Sequence, residues 1–302
     1  MKKSLFKGKK TVSVFIASTM LALTLTATMN MQVSAAVNTS QSYKVYNASN
    51  GSFVQSYTLS ENPVMDRSKG VVDTDDRVVD FSKNGVVKIV TRSGIGTGFV
   101  VDDHTIATAA HCICSKPSVN ATNYNVNPIS QILIFKPDGS VEKTITDAKQ
   151  YHIPDNFALT SGYTNKYDYA LITVSEDLSE YANFGLGVMM DSFKNTNKPV
   201  SATGFPGKVR GQTVNTATVH NMYTGVGYVV NNPFDAERQF CVDCDITPGS
   251  SGCPIYTSST FDGKVYYTVI GITTADTGSI SVETRITTDL IHFYKNNPNI
   301  DY

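Results

Sequence analysis

A histidine preceded by three small residues, Thr108-Ala109-Ala110-His111-Cys112, and a serine set between glycines, Gly249-Ser250-Ser251-Gly252, are the residues of this 302-residue chain best suited to chemistry. A serine hydroxyl attacks a carbonyl only when a base removes its proton. An imidazole, with an ordinary pKa of about 6.5, does this around neutrality. Glycines on both sides let the backbone turn tightly and approach a substrate carbonyl closely, which favours Ser251 over Ser250 as nucleophile. The amides of Gly249 and Ser251 would then face the developing oxyanion, where one donor is worth about 3–4 kcal/mol of barrier. Asp168 heads the apolar run Tyr169-Ala170-Leu171-Ile172-Thr173-Val174. There it can accept the Nδ1 proton of His111, fix its tautomer and stabilise the imidazolium. Asp102 and Asp103 are rivals, but they fall in a hairpin turn close to His111. His104, His152, His220 and His292 have no comparable surroundings. Alone, each fragment reads as an ordinary Gly-Ser loop, a core histidine or a turn aspartate. Together they specify a nucleophilic hydrolase that requires no metal or organic cofactor.

Positioning three distant side chains requires a rigid frame, and the sequence predicts strands. Short β-branched runs stand at 85–90, 97–101, 105–108, 131–135, 169–174, 200–205 and 266–272. Turn chemistry separates several of them, as at Asp102-Asp103-His104, Pro137-Asp138-Gly139 and Asp262-Gly263. Helical periodicity is convincing only at the end, where Thr287-Thr288-Asp289 offers caps and Leu290, Ile291, Phe293 and Tyr294 make a stripe. The expected fold is all-β, two antiparallel barrels with a short C-terminal helix. The expected domains are 70–190 and 191–302, joined by the polar stretch 191–198.

The N-terminal 69 residues read differently. Lys2, Lys3, Lys7, Lys9 and Lys10 precede an uncharged apolar run, and Val33-Ser34-Ala35 supplies small residues for cleavage before Ala36. Residues 1–35 are therefore expected to be a signal peptide, the rival being an uncleaved anchor. Residues 36–69 are rich in Asn, Ser, Thr and Gln, a composition that buries little apolar surface. They read as a propeptide ending at Arg67-Ser68-Lys69-Gly70, or as a retained spacer. From Gly70 onward 17 basic residues face 24 acidic ones, a net of -7. That argues against a nucleic-acid or anionic-membrane surface, which needs a basic patch. A secreted, extracellular monomer acting on protein or peptide substrates is expected, with no membrane contact after signal cleavage. The five cysteines, Cys112, Cys114, Cys241, Cys244 and Cys253, leave at least one unpaired. Cys241 and Cys244 suggest a local disulfide, with a four-cysteine zinc site using Cys112 and Cys114 as the lesser alternative.

The chain resembles the glutamyl endopeptidases, secreted bacterial members of the chymotrypsin-fold serine proteases. The resemblance rests on Asp75-Asp76-Arg77, Ile106 to Cys112, Thr164 to Tyr169, Gly204-Phe205-Pro206-Gly207, Pro248 to Pro254 and Thr284-Arg285-Ile286-Thr287. It implies six-stranded barrels, His111 as base, Asp168 as orienter, Ser251 as nucleophile and a preference for Glu or Asp before the scissile bond. The matching substrate pocket comprises Asp245, Ile246, Thr247, Thr273, Thr274 and Asp276. Relatives with strict Glu preference carry a histidine where Thr273 stands. Threonine brings no positive charge, and a buried carboxylate without a charged partner is costly. Asp245 and Asp276 would instead welcome a basic side chain. Ser250 replaces the aspartate that pairs with the freed N-terminus in trypsin-like enzymes. The resemblance places the mature N-terminal amine near the pocket, which implies maturation at Gly70 or Val71. Two other readings compete: a catalytically silent relative that binds a partner, and a cysteine hydrolase using Cys253 or Cys112.

Overall fold

The computed structural model describes residues 39–48, 51–61, 75–116, 123–158, 165–182, 184–189, 199–230, 237–261, 264–278, 280–288 and 290–291. The expected signal peptide, the processing site at 67–70 and the connection at 191–198 lie outside the described residues. The rest is all-β, with strands where the β-branched runs predict them. Val86–Thr91 shows why these runs are apolar throughout rather than alternating. Val87 and Ile89 enter one core cluster while Val86 and Val90 enter another, so both faces of the strand are covered.

In the C-terminal half, Pro199–Gly204, Tyr223–Val230, Gln239–Val242, Ser281–Arg285, Lys264–Asp276 and Pro254–Phe261 pair in that order. The last returns to the first and closes a six-strand antiparallel ring. Phe184–Leu186, ahead of the expected boundary at 190, pairs in parallel with Lys264–Asp276 of this sheet. The N-terminal sheet is a path of nine strands: Val141–Ile145, Ile129–Phe135, Val86–Thr91, Ile95–Asp102, Thr105–Thr108, Ala170–Thr173, Gln150–Pro154, Thr39–Asn47 and Phe53–Glu61. This path is longer than the six strands expected of one barrel. The outer edge of Gln150–Pro154 is taken by a hairpin of the very segment whose composition argued against a core.

That segment cannot build a core but borrows one. Tyr46 and Ala48 are buried in the N-terminal cluster. The Tyr46 ring lies 6.1 Å from that of Tyr124, and its hydroxyl accepts the Tyr124 amide at 3.4 Å. A strand ladder supplies the rest, and the hairpin blunts an edge that would otherwise template pairing with another chain.

The second core cluster draws on both sheets. Phe99, Leu133, Phe135 and Leu171 from the first meet Phe205, Tyr256, Val269 and Ile272 from the second. This apolar seam holds the two halves together. Near the end of the described residues, Thr287 Oγ1 accepts the Leu290 amide at 3.3 Å, a helix-capping contact; Phe293 and Tyr294 of the expected stripe lie outside the described residues.

The expected Cys241–Cys244 disulfide is absent: among the described residues none of the five cysteines is joined in a disulfide. Cys241 lies on a strand and joins Val230 and Val282, whereas Cys244 joins Val200, Val242 and Cys253 in another cluster. The chain bends after the strand Gln239–Val242, and the two thiols are packed into different clusters. Cys114 sits in the N-terminal core, so the four proposed zinc ligands are divided among separate clusters.

Candidate active site

His111 belongs to a single helical turn, Ala110–Ile113, that follows the buried strand Thr105–Thr108. Ala109 and Ala110 are fully buried, so the turn is seated by small side chains while the imidazole stays 39% exposed. Asp168 precedes the strand Ala170–Thr173, which pairs antiparallel with Thr105–Thr108. That pairing brings the two candidate residues together across 57 positions. The His111 Nδ1 lies 2.7 Å from Asp168 Oδ2, and the His111 backbone amide donates to Oδ1 at 2.9 Å. Both carboxylate oxygens are thus engaged on one residue, with Asp168 only 5% exposed. Burial works to lower the His111 pKa, but the charge and hydrogen bond of Asp168 outweigh it and hold it above 6.5.

Ser251 reaches this neighbourhood through backbone contacts. Its carbonyl accepts the Thr97 amide at 2.8 Å and the thiol of Cys112, the residue after His111, at 3.4 Å. Gly252 has a φ of +85°, and a Cβ there would strike the Thr97 carbonyl and Thr108 hydroxyl and lie 3.0 Å from the Ala109 amide. The serine turn is therefore clamped to the end of the strand that leads to His111. No hydrogen bond joins the Ser251 hydroxyl to the imidazole among the described residues. Unliganded sites often hold this contact long until substrate arrives.

The turn also bears on the oxyanion expectation. Gly249 has a φ of +103°, and its carbonyl is held by Thr97 Oγ1 at 2.8 Å. The amides of Ser250, Gly252 and Cys253 donate to Thr247, Thr273 and Ser250 carbonyls. Among the described residues, no acceptor takes the amide of Gly249 or Ser251. Two N–H groups on one glycine turn thus carry no acceptor among the described residues, the arrangement the oxyanion expectation requires.

The pocket residues divide. Asp245 is half-buried and accepts the Asp76 amide at 3.2 Å, and burial raises its pKa. Thr247 Oγ1 donates to the Lys208 carbonyl at 2.7 Å and receives Arg77 Nη1 at 3.1 Å. Ile246 packs on the C-terminal core. Thr273 is 1% exposed, with its hydroxyl 3.1 Å from Cys253 Sγ. Thr274 is buried and donates to the Val282 carbonyl at 2.8 Å. Asp276 is exposed and caps a turn by accepting the Gly278 amide at 2.7 Å. Asp245, Ile246 and Thr247 thus share one stretch near Arg77, while Thr273 and Thr274 turn inward and Asp276 serves its own loop.

Sequence reasoning missed Arg77, although it lies in a motif singled out there. The guanidinium is buried and bidentate on Asp75, at 3.0 and 2.8 Å, which pulls that carboxyl down to about 2. Glu283 was also missed: it is buried opposite Thr273 in the strand register. The thiols are poor nucleophile candidates. Burial, with the Asp168 charge adding to it, pushes Cys112 up to about 12, and burial pushes Cys253 higher still.

Residues 96–266 match the trypsin-like peptidase domain family, an interval that contains His111, Asp168 and Ser251. A glutamyl endopeptidase of Bacillus licheniformis is 32% identical over 146 residues, which make up 46% of this chain and 43% of that protein. The chain thus matches less than half the length of this curated relative. The solved structure of a Glu endopeptidase in complex with MPD superposes with a TM-score of 0.55 at 16% identity. It covers 74% of this chain and 97% of the other, a likeness of fold.

Proposed function

This chain belongs to the trypsin-like peptidase domain family, and from that premise we propose that it is a secreted serine endopeptidase made as a precursor. Ser251 attacks the peptide carbonyl while His111 takes its proton through Nε2. Asp168 holds Nδ1–H and balances the imidazolium. The tetrahedral oxyanion is received by the Gly249 and Ser251 amides. His111 then protonates the leaving amine, and water, activated by the same imidazole, resolves the acyl-enzyme. The single observation that carries this reading is the doubly bonded His111–Asp168 pair, with the imidazole exposed beside the glycine turn of Ser251. A silent binding relative would have no physical need of that arrangement.

The test is covalent labelling with an organophosphorus serine reagent, followed by digestion of a mixed peptide library. Labelling is expected on Ser251 and is expected to vanish in Ser251→Ala. Unlabelled protein whose turnover is abolished by thiol alkylation would instead favour a cysteine hydrolase. The resemblance carries a preference for Glu or Asp before the scissile bond. Strict preference does not follow, because Thr273 supplies no cation and the Arg77 guanidinium is already occupied by Asp75. Library cuts restricted to Glu and Asp would overturn that view of the pocket.

The propeptide reading assigns residues 36–69 to a segment removed near Gly70. Its consequence is a new amine a few residues ahead, in sequence, of Asp76, whose own amide meets Asp245. Amino-terminal sequencing of active secreted protein is expected to begin at Gly70 or Val71; a start well upstream of Asp66 would sink this assignment.

A further inference from the structure

Lys88 stands in the middle of the apolar strand Val86–Thr91 and is 0% exposed. A buried ammonium is costly unless its donors find acceptors. Here three oxygens meet Nζ: Asn215 Oδ1 at 3.1 Å, the Thr216 carbonyl at 2.8 Å and the Val219 carbonyl at 2.6 Å. His220 Nδ1 lies 3.2 Å away and the Phe205 ring 5.6 Å below. All these partners belong to the other half of the chain, more than 115 residues further on. Burial alone draws Lys88 down to about 8, while the oxygens favour the ammonium, so the group is charged at neutral pH. Burial and the Lys88 charge lower the His220 pKa, so its ring is neutral there and can accept.

Asn215 passes this anchorage on. Its Nδ2 donates to the Pro206 carbonyl at 2.8 Å and to the Asn221 carbonyl at 2.7 Å, and its Oδ1 also accepts the Asn221 amide at 2.8 Å. The next residue, Gly207, donates its amide to the Pro248 carbonyl at 2.7 Å and accepts that of Val214 at 2.9 Å. Gly249 is pressed onto this same backbone. A Cβ at Gly249 would lie 2.8 Å from the Gly207 amide.

We propose that Lys88 is a positioning residue that, through Asn215 and the Pro206-Gly207 backbone, fixes the Gly249 amide of the oxyanion turn. The proposal rests on the serine-protease reading. Lys88 touches no reacting atom. It sets where one donor stands, and misplacing a donor by about 1 Å costs roughly a hundredfold in rate.

The experiment uses the processed, active secreted protein as wild type, Lys88→Met, Asn215→Ala and the double variant. Four readouts are taken: kcat, KM, inhibition by a peptidyl trifluoromethyl ketone that forms a tetrahedral oxyanion, and amide hydrogen exchange by mass spectrometry. Each single variant is expected to lose about tenfold or more in kcat with KM changed by less than about twofold. The ketone should weaken by the factor that kcat/KM falls. The double variant should be no worse than the poorer single, since both cut one path. Exchange should quicken at 205–221 and 247–252 and stay unchanged at 129–135. The proposal is overturned if kcat holds, if the losses add, or if exchange quickens evenly along the chain. If Lys88→Met does not fold, Asn215→Ala carries the same criteria. Should wild type cleave no peptide, the protease reading falls, while the exchange pattern still decides whether Lys88 holds the turn.

Discussion

Asp168→Asn is expected to lower kcat by about 10⁴-fold while leaving the fold intact. The reason lies in the two bonds that Asp168 makes to His111. Asparagine can still accept the His111 backbone amide through its oxygen, as Oδ1 does now at 2.9 Å. Its NH₂ must then face Nδ1, where Oδ2 stands at 2.7 Å. A donor in that place selects the tautomer with the proton on Nε2, and that nitrogen can no longer take a proton from Ser251. The size of the loss thus measures tautomer control rather than packing. A second readout separates the two. The carboxylate holds the His111 pKa above 6.5, against the opposing effect of burial. In wild type the rise of kcat/KM with pH should therefore centre above that value, and in the variant it should move down. Steady-state kinetics from pH 5 to 9, with circular dichroism as a check on folding, tests both. A variant within about tenfold of wild type at every pH would remove Asp168 from its role.

Which parts of this arrangement were legible in the chain follows from how local their causes are. His111 and Ser251 carry their reasons beside them, as small residues before one and glycines around the other. The strand Ala170–Thr173 announces itself by its apolar run, and Asp168 is found by standing at its head. The hairpin at 39–61 was misjudged because composition reports whether a segment can make its own core, not whether a neighbour lends one through Tyr124. Lys88 was invisible for a related reason. Between Val87 and Ile89 an isolated charge reads as a solvent-facing position, and its acceptors are supplied from 215–220 by folding alone. Thr273 and Asp276 are grouped by the resemblance, which follows sequence position and not side-chain direction. A strand turns alternate residues to opposite faces, and the register irregularity between Thr273 and Ala275 further changes which way the later residues point.

Glu283→Gln is expected to stabilise the protein, and only above mildly acidic pH. Glu283 is 0% exposed inside the closed C-terminal ring, between Phe240 and Thr273 in the strand register. Ser281 Oγ donates to Oε1 at 2.6 Å, while Oε2 has no hydrogen-bond partner among the described residues. Burial raises the pKa from 4.5 to about 7, and the nearby Ser281 and Thr273 hydroxyls only partly restrain it. The sign follows from linkage. The folded protein holds this proton more tightly than the unfolded chain, so the group costs nothing below pH 4.5. The penalty grows between pH 4.5 and about 7 and is complete above that, at about 3 kcal/mol. Glutamine keeps an oxygen for Ser281 and never ionises. Urea unfolding of wild type and variant should therefore nearly coincide at pH 4.5 and differ by about 2–3 kcal/mol in the variant's favour at pH 8. Equal pH slopes for the two proteins would show that Glu283 does not titrate in this range. The consequence extends to the reaction centre, because Thr273 accepts the Gly252 amide at 2.8 Å and donates its own to the Cys253 carbonyl at 3.0 Å. An ionised Glu283 thus lies directly across the ladder from the residue that bonds the Ser251 turn.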